Sequence, residues 1–108
     1  MKETFGEYIH KLRLDNGLTL TKLAAALDID QSTLSKIENQ KRNVPMEILP
    51  KLASYFKLDY KTLEKEFYSE RIAEIIFNKE DFHGLLKLAE EKATYFKAQK
   101  TYQGTISF

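Results

Sequence analysis

The chain has 108 residues, with 17 Lys and Arg against 16 Asp and Glu, two His and no Cys. That length suits one domain, or a small domain with an appendage; the missing thiols exclude a disulfide framework and thiolate catalysis. With four Gly and two Pro, long helices joined by short turns are favoured over a strand-rich fold, so an all-α chain is expected.

Thr4-Phe5-Gly6-Glu7 matches a capping box, and Phe5, Tyr8, Ile9 and Leu12 follow at the spacing of one helix face, ending at Asn16-Gly17. Thr19 can cap a second helix with Leu20, Leu23, Ala24 and Leu27 on its inner side. Asp28-Ile29-Asp30 interrupts, and Asp30 is a candidate cap for a third helix carrying Leu34 and Ile37 inward and ending near Asn39. Asn43-Val44-Pro45 opens a fourth, with Leu49, Leu52, Ala53 and Phe56 inside; Pro50 predicts a kink or a late start there. Asp59 can cap a fifth helix through Leu63 and Phe67 toward Ile76, with Ser69 as its weak point. A sixth is expected from Lys79 or Glu80, with Phe82, Leu85, Leu86, Ala89, Ala93 and Phe96 on one face, and residues 100–108 as a frayed or extended tail.

Two short helices joined by a tight turn are the geometry of a reader of double-stranded DNA, in which the first braces against the backbone and the second enters the major groove. With Leu34 and Ile37 inward, the third helix carries Gln31, Ser32, Ser35 and Lys36 outward, and Thr33 near its edge. Gln can pair with adenine N6 and N7, Lys can donate to guanine O6 and N7, and hydroxyls serve bases or phosphates. Lys41 and Arg42 follow where the chain leaves the groove, positioned for phosphates. The formal charge of +1 is spread thinly: residues 1–58 hold nine cations against seven anions and residues 59–108 eight against nine, so basic character must come from Lys36, Lys41 and Arg42 locally.

Residues 19–45, TLTKLAAALDIDQSTLSKIENQKRNVP, resemble the helix-turn-helix of the Cro and phage-repressor (XRE) family, and the likeness extends without gaps over roughly residues 5–66. It implies a five-helix repressor-like domain. It also implies base reading by Gln31, Ser32 and Lys36, backbone contacts from Thr33, Ser35, Asn39, Lys41 and Arg42, and a structural salt bridge between Arg13 and Glu38. Three positions depart from the pattern: Leu20 stands where a polar phosphate-contacting residue is usual, Asp28 where Gly is usual in the turn, and Gln40 where Gly often ends the third helix. Asp tolerates the left-handed conformation better than most residues, whereas strain is expected at Gln40.

The expected organisation is a helix-turn-helix domain over 1–66 and a helical extension over 67–108. The extension's apolar residues Ile72, Ile75, Ile76, Phe82, Leu85, Leu86 and Ala89 either fold back or form a two-fold interface; the homodimer is favoured, because one reader alone covers little DNA. Two readers would then meet a palindromic operator. His10 and His83 have no ligand-spaced neighbours, so no metal and no cofactor are expected, and no nucleophile–base pair or Gly-rich phosphate loop suggests an enzyme. Tyr55, Phe56, Tyr60, Phe67, Tyr68 and Phe77 read as core and interface residues. The N-terminus lacks an apolar signal core, and no apolar run approaches a membrane span of ~18 residues; a soluble cytoplasmic protein is expected. The function expected is a transcriptional repressor or autoregulator, with restriction–modification controllers and antitoxins among its variants. The alternative is a protein-interaction module in which DNA contact is secondary or lost.

Overall fold

Every element of the computed structural model, which describes residues 3–103 (with side chains through residue 100), is helical: α1 Phe5–Asp15, α2 Leu20–Leu27, α3 Gln31–Glu38, α4 Ile48–Phe56, α5 Tyr60–Ile76 and α6 Phe82–Gln103. The chain divides into two compact units, Met1–Ile72 and Ala73–Phe108, so the division falls inside α5.

In the first unit, α1 starts at the expected capping box: the Thr4 hydroxyl accepts from the Glu7 N–H at 3.1 Å, and the Glu7 carboxylate accepts from the Thr4 N–H at 2.8 Å. Thr19 caps α2 through the Lys22 N–H, and Asp59 accepts from both the backbone and the hydroxyl of Thr62 at the start of α5. Those bonds favour the ionised carboxylate and hold Asp59 below the usual aspartate range. Asp30 occupies the cap position of α3, yet its side chain makes no capping bond. Pro50 produces a late start rather than a kink. It is the third residue of α4, within the first turn, where its missing N–H would have no helical partner in any case.

Four helices end alike. Gly17, Asp28, Gln40 and Lys57 take positive φ of 64°, 57°, 57° and 55°, and the next residue's N–H bonds back five residues: Leu18 to Arg13, Ile29 to Ala24, Lys41 to Lys36, Leu58 to Ala53. After α1, α2 and α4 that next residue is apolar and packs onto the core. After α3 it is Lys41.

The core comprises Phe5, Ile9, Leu23, Ala24, Leu27, Leu34, Ile37, Val44, Ile48, Leu49, Leu52, Ala53, Leu63 and Phe67. It draws on α1 through α5, and α3 packs on both α1 and α2. Gly6 makes the α1–α3 approach possible, since a Cβ there would collide with the Ile37 carbonyl oxygen. Of the aromatic residues assigned to core and interface, Phe67 is buried and Phe56 half-buried, whereas Tyr55, Tyr60, Tyr68 and Phe77 are exposed.

Three expectations for the C-terminal part are corrected. α5 runs unbroken past Ser69, whose hydroxyl donates to the Glu66 carbonyl of the same helix instead of interrupting it. α6 begins at Phe82, because Asp81 caps it by accepting from the Gly84 N–H at 3.1 Å. Residues 100–103 belong to α6 rather than to a tail, the helix continuing its turns past Lys100; the remainder of the expected tail lies outside the described residues. Among residues 73–100 none is buried. No helix among the described residues is long and apolar enough to cross a membrane.

Candidate nucleic-acid interface

The orientation of α3 follows from what it buries. Leu34 and Ile37 are fully enclosed against α1 and α2, and Glu38, one residue on, is also buried. An eight-residue helix fixed on that side leaves Gln31, Ser32, Lys36 and Asn39 exposed, with Thr33 and Ser35 half-buried at the rim. The left-handed turn at Gln40 then carries Lys41 and Arg42 into solvent beside them. The outward edge therefore offers two carboxamides, three hydroxyls and three cations, and no carboxylate lies between Gln31 and Lys36.

Glu38 holds the helix from behind. Its side chain is 3% exposed, and its two oxygens accept from Arg13 Nε at 2.8 Å and Nη2 at 3.0 Å. Arg13 Nη1 donates onward to the Leu18 carbonyl at 3.0 Å. His10 Nδ1 lies 2.6 Å from Glu38 Oε1 and 3.4 Å from Arg13 Nη2. His10 is thus not isolated, as its sequence neighbours suggested. Its place three residues before Arg13 on α1 puts both on the face that meets α3, which is the signal that could have identified it. No group of three or more His, Cys, Asp or Glu among the described residues could hold a metal ion.

A second contact was not anticipated. Thr21, the second residue of α2, donates its hydroxyl to Gln31 Oε1 at 2.7 Å, so the first outward side chain of α3 is tied to the bracing helix. Asn39 Nδ2 donates to the Ser35 carbonyl at 2.8 Å, engaging part of that side chain on the end of its own helix. The loop after Arg42 is held from α5. Arg71 donates to the Val44 carbonyl at 3.2 Å and lies over the Phe67 ring at 4.9 Å, and the Tyr68 hydroxyl reaches Met46 Sδ at 2.9 Å. Of the residues that differ from the usual pattern, Leu20 is half-buried and turned onto the core, Asp28 adopts the left-handed turn with φ 57° and ψ 46°, and Gln40 does so while its Nε2 donates to the Glu38 carbonyl.

The extension's interface candidates present a different picture. Ile72, Ile75, Phe82, Leu85 and Leu86 are 36–65% exposed, Ala89 is exposed and Ile76 half-buried.

The helix-turn-helix family matches residues 9–63, just over half of the chain, a span that includes α2, α3 and the Arg13–Glu38 pair. Over 74 residues the chain is 38% identical to the HTH-type transcriptional repressor RghR of Bacillus subtilis (strain 168), aligning 67% of this chain with 55% of that protein. Over 60 residues it is 40% identical to the uncharacterized HTH-type transcriptional regulator RghRB of the same organism, covering 55% of this chain and 43% of the other. The chain thus spans about half the length of the curated relatives it matches. No solved structure matches it.

Proposed function

The chain belongs to the helix-turn-helix family, and on that premise we propose that it is a sequence-specific, double-stranded-DNA-binding transcriptional regulator of the cytoplasm, acting by occupying an operator rather than by catalysis. Repression or autoregulation is the mode favoured, by analogy with a relative named as a repressor. The observation that carries the reading is the two-sidedness of α3: Leu34, Ile37 and Glu38 are locked into the domain while Gln31, Ser32 and Lys36 are exposed to solvent.

In this reading α3 lies in the major groove. Gln31, Ser32 and Lys36 meet base edges, and Thr33, Ser35, Asn39, Lys41 and Arg42 meet the sugar–phosphate backbone. Leu20 faces the core, so it supplies no side-chain phosphate contact, and the cations after α3 carry more of the electrostatic affinity. The extension serves a homodimer on a palindromic site, with the exposed apolar residues of α5 and α6 as the interface and half-sites about 34 Å apart.

Selection of binding sites from random duplexes, with sedimentation of the complex, tests this. A palindromic consensus bound by two chains is expected. Gln31→Ala should relax discrimination at one base pair by about 1–3 kcal/mol, whereas Arg42→Ala should weaken binding to all duplexes alike and reduce the salt slope by about one. No retention of any duplex at low salt, where phosphate contacts are strongest, would refute the proposal.

A further inference from the structure

We infer that Thr21 is a positioning residue that determines sequence specificity, by holding the Gln31 carboxamide in its reading orientation before a duplex arrives. This rests on the reading of Gln31 as a base contact. An exposed glutamine on the first turn of a helix has three side-chain torsions and no packing to choose among their states. Here the choice is made by one bond, 2.7 Å long, between Thr21 Oγ1 and Gln31 Oε1, joining α2 to α3 across ten residues of chain.

The anchor is stiff for three reasons. Threonine is β-branched, so its χ1 is restricted. Thr21 sits in a helix whose other side, Leu23, Ala24 and Leu27, is buried. Its hydroxyl is also free of the capping task, because Thr19 already accepts from the Lys22 N–H. Neighbouring Leu20 has no polar atom to offer and packs inward. Since the hydroxyl donates to Oε1, the two Nε2 hydrogens and the second lone pair of the oxygen remain for a partner. That adjacent donor and acceptor match the N7 and N6 edge of adenine in the major groove.

The test uses the full chain and duplexes of 30 base pairs drawn by the wild type from a randomised pool, each position then varied through all four base pairs. Thr21→Val should lower discrimination about 3- to 10-fold, the span of a neutral hydrogen bond, at the one base pair that Gln31→Ala relaxes. The double variant should add nothing to Gln31→Ala, and Thr21→Ser should restore the wild-type profile within about 2-fold. In the free protein, the Gln31 side-chain amide resonances should shift in Thr21→Val and stay in place in Thr21→Ser. Undiminished discrimination in Thr21→Val, or a uniform loss on every duplex with a shallower salt slope (a phosphate contact instead), would overturn the inference while leaving the Gln31 assignment intact. If Gln31→Ala discriminated like wild type, the assignment itself would have failed and the inference with it.

Discussion

Residues 3–72 and residues 73–103 draw on the same apolar side chains and do different things with them. In the first region, leucines and isoleucines from five helices close into one core, and Leu23, Leu27, Leu34, Ile37, Leu49 and Leu52 lose all contact with solvent. In the second, a 22-residue helix carries Phe82, Leu85, Leu86, Leu88 and Tyr95 without burying one of them. An apolar stripe is therefore necessary for a core but not sufficient; it needs facing stripes from other elements. The first region meets that need internally. A long helix with no fully buried side chain among the described residues draws little on tertiary packing, which is why the second region is assigned to a partner in the proposed homodimer.

The sharpest way to break this comparison is to make one substitution in both regions. Leu52→Ala, at a site with 0% exposure, should cost about 2–5 kcal/mol in urea unfolding, the range for a buried leucine that leaves a cavity. Leu86→Ala, at 39% exposure, should cost the first region's unfolding under about 1 kcal/mol and act instead on association, lowering the mass seen in sedimentation at a given concentration. Equal losses at both sites, with the mass unchanged, would mean that the second region is part of the same cooperative core and not an interface.

Next in size is the buried Arg13–Glu38 ion pair of the first region. Glu38→Gln keeps the shape of the side chain but replaces one acceptor with a donor and removes the charge facing Arg13, which can only donate. Because only one partner is changed inside a nearly dry site, a loss of about 2–3 kcal/mol is expected by thermal or urea melting. A loss under about 0.5 kcal/mol would place the pair among surface contacts and remove the argument that it fixes the angle of α3.

Much of the first region was legible because local and global signals agree there. Thr4 with Glu7, Thr19 and Asp59 each announce a helix start and each makes the expected bonds; the positions of Leu34 and Ile37 dictate which edge of α3 is left for other work. What was not legible depends on neighbours distant in sequence. His10 reads as a lone histidine until α1 is packed on α3, and Thr21 reads as a solvated helix residue until Gln31 arrives beside it. Lys57 reads as an ordinary helix residue, although the apolar Leu58 after it is the same signal that Ile29 gives after Asp28. Toward the C-terminus the mismatch runs the other way. Ser69 reads as a breaker, but a hydroxyl that bonds the preceding turn of its own helix leaves α5 intact, and the continuation of α6 to Gln103 is not announced because Thr101 and Tyr102 have only middling propensity.

The smallest effect concerns backbone rather than side chains and separates the two regions again. All residues with positive φ among the described ones lie in the first region, where packed helices on both sides determine the turn; none lies in α6. Lys57 is the cleanest of them. It is exposed, its φ of 55° closes α4, and its own N–H and that of Leu58 satisfy the last carbonyls, so the turn is fixed by the chain around it and not by the lysine. The left-handed conformation costs an L-residue about 1–2 kcal/mol, and glycine avoids that cost while giving back part of it through greater freedom in the unfolded chain. Lys57→Gly should therefore stabilise the first region by about 0.5–1 kcal/mol, read as a rise in the urea midpoint at unchanged slope. The same lysine-to-glycine change at Lys92, in the middle of α6, has no strain to relieve and only helix propensity to lose, so helical circular dichroism should fall there. A loss at Lys57 would mean that the left-handed turn is held by the lysine side chain, and the packing argument for the first region would fail at that turn; a gain at Lys92 would mean that helix propensity does not govern α6.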